Sequence, residues 1–427
     1  MSSDVFARVS PWGIRPFLQV SALTLYIVAL GFSISGMEGV SVLLLVLLLW
    51  QKITEPNSII WSRPPLLWPC LCFLAVALIG VWLGNATTEQ KTYDVKRMRF
   101  FILYAILFWL LLSTLKTFKW DRVFIAIALF MGVYGTIQHF IPLDIFRATG
   151  KKIILFAIQD ERIGPLVIGS FNHHLTFSGV YLFYACVLTA IGVYSRKRLH
   201  LFCGLWLFLL VLFTQSRVAW VAVPVSIMVL LSWKGRQFVL GALCGCALIL
   251  GSLYFADTGF RERAQRTLIG QEEIYSTSPR LRLWNAQLAM FRDHPWFGVG
   301  WNNSERRSRE YLDKLYPNVA EVFSGHAHSN FLQILSSTGI LGTLGYLWIW
   351  ITVFVLTWQL IHLFPTGSLE RSTGMGLFAA FIGFHIQGLT QWNFGDAEVL
   401  HNVIFFWALV SALVTLRRDR SASPSYN

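Results

Sequence analysis

Apolar positions in this chain come in long unbroken runs, and polar residues are confined to the gaps between them. The runs are roughly 18 to 22 residues long, enough for a helix to cross a hydrocarbon core of about 30 Å. Twelve segments read as such helices. They lie near 17–35, 38–51, 66–84, 99–116, 122–142, 174–195, 199–215, 218–233, 237–256, 340–363, 373–392 and 397–416. Too many of them lack a polar face for a soluble helical protein. The first two leave almost no room for a loop between them, which predicts a tight antiparallel hairpin.

Basic residues in the short gaps set the expected orientation. With the N-terminus cytoplasmic, one face collects Arg8, Arg15, Lys52, Arg63, Lys116, Lys119, Arg122, Arg196–Arg198, Lys234, Arg236, Arg371 and the tail arginines Arg417, Arg418 and Arg420. The opposite, outer face receives segments near 85–98, 143–173 and 257–339. These carry basic residues too, so the asymmetry is partial. The expectation is an all-α integral membrane protein of about twelve spans with both termini inside. Residues 1–256 would form nine helices, 257–339 a large outer loop with short helices, and 340–427 the last three helices and a cytoplasmic tail.

Composition sharpens this picture. The chain is 55% hydrophobic and 13% charged, against about 25% charged in soluble domains. The net charge of +13 sits mostly in short loops, which argues against a nucleic-acid partner. The six cysteines, Cys70, Cys72, Cys186, Cys203, Cys244 and Cys246, all fall in apolar runs and read as small core residues. No cleavable signal is evident before the first run.

The long loop carries nine arginines, one lysine and nine acidic residues, a near balance that is no nucleic-acid footprint. Its stretch SPRLRLWNAQLAMF, 278–291, has Leu281, Trp284, Leu288 and Phe291 at helical spacing, predicting a helix at the interface that starts near Pro279. DHPWFGVGWNN then breaks it.

Ionisable residues at the edge of a bilayer are candidates for function, because burying them unpaired costs several kcal/mol. Arg217, in LFTQSRVAW, lies in an outer turn, against the positive-inside bias; it reads as an anion clamp or as an arginine snorkelling to headgroups. Arg280 and Arg282 are two apart, so on a helix they point to different faces and one of them can readily serve a shared site. His328, in SGHAHSNFLQILSSTGILG, opens a helical segment at the boundary of water and membrane, where an imidazole can exchange protons near neutral pH. Gly339 and Gly342 lead into the tenth span and would permit close helix contact. His326 lies two residues before His328, with no cysteine or acidic cluster to complete a metal site. Supporting candidates on the same face are Arg162, His173, His174, Asp396 and Glu398; the last two could orient a histidine, bind sugar hydroxyls or merely cap the final helix.

These motifs carry a resemblance. HSNFLQILSSTGILG is similar to the signature of bacterial O-antigen ligases. DHPWFGVGWNN, preceded by Arg-Leu-x-Leu-Trp, resembles the wider superfamily of ligases and O-antigen polymerases, as does TQSRVAW before the large loop. The resemblance implies a GT-C-like glycosyltransferase of the cell inner membrane with its active site facing the periplasm. It implies transfer of O-antigen glycan from undecaprenyl diphosphate to lipid A–core, inverting and metal-independent, without a cofactor. It maps His328 as the essential histidine and Arg217 with Arg280 or Arg282 as the diphosphate-binding arginines. An arginine-rich loop suits this chemistry, since the planar guanidinium fork binds phosphate oxygens in pairs. The rival readings are an O-antigen polymerase, a ligase that glycosylates proteins, and a membrane transporter. The transporter would call for internal repeats with interrupted helices, and none is visible.

Overall fold

The computed structural model describes residues 13–54, 56, 62–141, 145–146, 148–149, 152–153, 159–160, 164–268, 278–317 and 324–422. The chain begins with α1 (Ile14–Phe32) and α2 (Ile34–Thr54), joined through Ser33 alone as the expected hairpin. Then come α3 (Leu67–Leu83), α4 (Thr88–Arg97), α5 (Phe100–Thr114) and α6 (Trp120–Phe140). Two short antiparallel strand pairs, Ala148–Thr149 with Lys152–Ile153 and Gln159–Asp160 with Gly164–Pro165, lead to α7 (His174–Tyr194). The helices α8 (Arg198–Phe213), α9 (Ala219–Ser232) and α10 (Arg236–Ala256) follow. In the long loop lie α11 (Thr258–Leu268), α12 (Ser278–Asp293) and α13 (Asn303–Leu315). The chain closes with α14 (Asn330–Leu363), α15 (Leu369–Gly388) and α16 (Ala397–Ala422).

Seven helices, α1, α2, α6, α7, α10, α14 and α16, are long and apolar enough to cross a membrane, and the chain is a polytopic membrane protein. Shorter apolar helices are α3, α8 and α9. Each of the twelve expected segments contains a helix, most with ends displaced by a few residues, but the helix of the expected 340–363 span already begins at Asn330. In lipid the helix satisfies every backbone N–H and C=O internally, which is why composition alone locates these elements. The core is built on α7, buried almost throughout and packed against α8 and α15. By contrast α10 buries Cys246 alone, as expected of a helix solvated by acyl chains. Cys72 and Cys244 are also exposed, so the reading of all six cysteines as core residues fails for these two.

Polar contacts mark the two ends of the bundle. At one end Lys197 and His200 meet Asp121 at 3.2 and 3.3 Å, Arg417 donates to Leu363 O, and Ser195 meets Ser372 at 2.9 Å. At the other end α4 and the 257–339 segment meet. Arg306, on α13, forms an ion pair with the fully buried Asp94 of α4, and Asn302 also donates to Asp94 at 3.3 Å. Sequence periodicity did not predict α4. Its signal is local: Thr87 and Gln90 form a reciprocal capping box.

Helix α12 spans the predicted stretch but turns a different face inward. Leu283, Ala286 and Met290 are fully buried against Val299, Tyr311 and Leu312, whereas Leu281 is half exposed. The predicted stripe stays at the surface, with Leu281 exposed and Trp284, Leu288 and Phe291 partly buried, while α13 and α14 cover the stripe two residues on.

Candidate functional site

The site is framed by a break in α14. At Gly339 the backbone takes φ 64° and ψ −165°, a conformation open essentially to glycine. The break frees two N–H groups, and the DHPWFGVG loop takes them: Ile340 N donates to Pro295 O at 2.8 Å and Leu341 N to Trp296 O at 3.3 Å. In return Val299 N and Gly300 N donate to Ser336 O and Ser337 O at 2.9 and 3.0 Å. A Cβ on Gly339 would lie 2.4 Å from the Trp296 carbonyl, and one on Gly298 would lie 2.4 Å from Ser337 C. The close contact at Gly339 is thus with this loop, not with a neighbouring helix as its place before a span suggested.

This docking fixes the first half of α14 and the turn before it. Gln333 is buried, accepts from Ala327 N at 2.7 Å and donates to Ser304 at 2.7 Å. Trp284 donates to Ala327 O at 2.8 Å. Ala327 is therefore clamped on both polar atoms, and His328 beside it adopts φ 47°. A left-handed histidine is uncommon and persists where surrounding contacts over-determine it. The His326 and His328 rings lie 4.1 Å apart, and His326 Nδ1 accepts from His328 N at 3.1 Å.

Two cavities meet here. The first, about 400 Å³, is lined by Arg217, Arg263 and Arg280 together with apolar Val218, Val221 and Leu281. Arg217 comes from the turn between α8 and α9, Arg263 from α11 and Arg280 from the first turn of α12. Gln215, in that same turn and also on the lining, has φ 53°. The second cavity, about 430 Å³, is lined by His173, His326, His328, Asp396, Glu398 and Trp392, together with Glu305 and Arg97. Leu175 and Gln391 belong to both linings.

Of the sequence candidates, Arg217, Arg280 and His174 line the first cavity and His173, His326, His328, Asp396 and Glu398 the second. Arg282 faces away: its guanidinium lies over the Tyr316 ring at 5.8 Å. Arg162 lies outside the described residues. Asp396 accepts from Thr176 at 2.6 Å and from Glu398 N at 3.1 Å, so it caps α16 and ties it to α7. Arg263, Glu305 and Gln391 were not singled out by sequence reasoning, because no local pattern separates them from other loop polar residues.

Electrostatics of the site run against the sequence expectation in one respect. Burial holds the His328 imidazole far below its ordinary range, at about 3, with His326, Arg280 and His173 adding repulsion. Burial likewise lowers His326 and His173. All three rings are neutral near pH 7, so His328 does not titrate near neutrality in the empty site. Burial pushes the Glu305 carboxyl up despite nearby Arg97 and Arg306. The site therefore combines arginines with neutral imidazoles, an arrangement suited to binding a multiply charged anion beside unprotonated rings.

Residues 202–347 match the family model of the O-antigen ligases. The match runs from α8 past the Gly339 break, about a third of the chain, and it contains Arg217, Arg263, Arg280, His326 and His328. O-antigen ligases and the polymerases of this type are glycan-transferring enzymes. The ligase-family segment thus supplies every arginine of the first cavity and the histidine pair of the second. His173, Gln391, Asp396 and Glu398 are contributed from outside it. No curated protein matches the chain.

Proposed function

We propose that the protein is an O-antigen ligase of the bacterial inner membrane, transferring a glycan from undecaprenyl diphosphate to lipid A–core at the periplasmic face. The observation that carries this reading is the pairing of an arginine-lined, partly apolar cavity with a neutral histidine pair across one shared wall. In this reading all twelve apolar helices span the bilayer, both termini are cytoplasmic, and residues 257–339 form the periplasmic domain of a GT-C-like enzyme.

Arg217, Arg263 and Arg280 hold the diphosphate, and Val218, Val221 and Leu281 accept the first isoprene units. The acceptor hydroxyl gives its proton to His328 as its oxygen attacks the anomeric carbon. The carbon–oxygen bond to phosphate breaks, and its electron pair stays on the departing diphosphate oxygen, opposite the arginines that stabilise it. In-line attack inverts the anomeric centre. Donor binding also matters for the base: burial depresses His328 most, but a diphosphate beside Arg280 offsets the smaller part due to that charge and makes the imidazole a stronger base when donor is present. No cofactor or metal is part of this scheme, and transfer is expected to persist in excess EDTA.

The alternative within this chemistry is an O-antigen polymerase, which would use the same donor and the same two cavities. A strain lacking the gene decides between the two. Full-length glycan left on undecaprenyl diphosphate with bare lipopolysaccharide cores supports the ligase; cores capped with a single repeat show a polymerase. A transporter fits less well, since the titratable groups lining the two cavities gather at one end of the bundle rather than at its middle.

A further inference from the structure

The wall between the two cavities is built by Leu175 and Gln391. Gln391 is 3% exposed. Its Nε2 donates to Ser216 Oγ at 3.1 Å. Its Oε1 is buried and has no hydrogen-bond partner among the described residues. A buried acceptor left open costs about 1–3 kcal/mol, so it marks a place where a donor is expected.

The amide is held by a rigid frame. Ser216 closes the first turn of α9, accepting from Ala219 N at 2.9 Å, and it immediately precedes Arg217. On the other side Gln391 follows the C-terminal turn of α15, where Thr390 N donates to Gln387 O at 3.1 Å. Gln387 is itself fully buried and bonded to Ser178 at 2.9 Å. The turn that presents Arg217 to the first cavity therefore also fixes where Oε1 points.

The ligand that suits this atom follows from its chemistry. A fully ionised diphosphate has acceptors only and cannot pair with a carbonyl oxygen. A sugar hydroxyl is a donor, and the first sugar of a lipid-linked glycan has one place to lie. Its anomeric carbon is one oxygen away from the phosphorus held by the arginines, and its opposite side must meet the acceptor oxygen near His328. We propose that the partition is the subsite for the sugar ring attached directly to the donor's diphosphate, with Gln391 Oε1 accepting a hydrogen bond from one ring hydroxyl. This inference rests on the transferase reading. Gln391 then acts as a positioning and specificity residue, selecting among sugars by the orientation of one hydroxyl.

The test uses the full chain in nanodiscs and two probes, undecaprenyl diphosphate and undecaprenyl diphosphate bearing one hexose, with a set of monodeoxy hexose analogues. Gln391→Leu should weaken the hexose-bearing lipid about tenfold and leave undecaprenyl diphosphate unchanged. Wild type should discriminate about tenfold against one monodeoxy analogue, and Gln391→Leu should lose that discrimination, a coupling that a merely structural amide would not show. Equal loss for both lipids, or no loss for either, overturns the subsite. Wild-type protein that binds neither lipid overturns the transferase reading and the subsite with it.

Discussion

Arg280 and Arg282 lie two positions apart on α12 and differ sharply in surroundings, so their replacement gives the strictest test of the diphosphate clamp. Arg280 lines the first cavity beside Arg217 and Arg263, whereas Arg282 stacks on Tyr316 at 5.8 Å. A hydrogen bond from a guanidinium to a charged partner contributes about 1.5–3 kcal/mol, which corresponds to roughly 10- to 150-fold in kcat/KM once converted. Arg280→Ala should fall within or beyond that range. Arg280→Lys should recover little of it, because an ammonium keeps the charge but cannot bridge two phosphate oxygens. Arg282→Ala loses a contact of about 0.5–1 kcal/mol between a cation and a ring, which bears on folding and not on the transition state. Its kcat/KM should stay within about threefold of wild type. The assay is single-turnover transfer from a synthetic polyprenyl-diphosphate glycan by purified protein. Arg282→Ala as damaging as Arg280→Ala would refute the assignment and with it the view that this cavity holds the leaving group.

Three further outcomes follow from the same geometry. Replacing His328 by Ala, or by Asn, which tolerates the left-handed backbone better, should reduce transfer by about 10² to 10⁴ while the protein still accumulates in the membrane; transfer near the wild-type level by either would make His328 structural. Because His328 is held near 3 in the empty site, its protonation should add no acid limb to kcat/KM between pH 8 and about 5. The acid limb of kcat, which reports the donor complex, should lie at higher pH because bound diphosphate favours the imidazolium; coincident limbs would show that donor binding leaves the base unchanged. Gly339→Ala forces a Cβ to within 2.4 Å of the Trp296 carbonyl, so backbone strain and overpacking should together cost about 2–6 kcal/mol. Thermal unfolding in detergent identical to wild type would show that the loop and the break are not tightly docked.

Much of this protein is determined by short-range pattern. Runs of apolar residues locate the apolar helices, because a helix in lipid needs only length and low polarity. The sequence also puts His328 at the head of a helical segment, whereas the break at Gly339 emerged only from the structure. Tertiary structure decided what depends on distant neighbours. Asp94 and Arg306 are 212 residues apart, and only their meeting shows that this loop arginine is tied to a buried carboxylate of α4. Helix α12 has a visible period, but its inward stripe was set by α13 and α14, so the choice between Arg280 and Arg282 came from packing. Arg263 and Gln391 carry no motif; they join the site because α11 and the α15–α16 turn converge on the arginine turn before α9. The protonation of His328 was also beyond the sequence, since desolvation and the charge of Arg280 act through space and not along the chain.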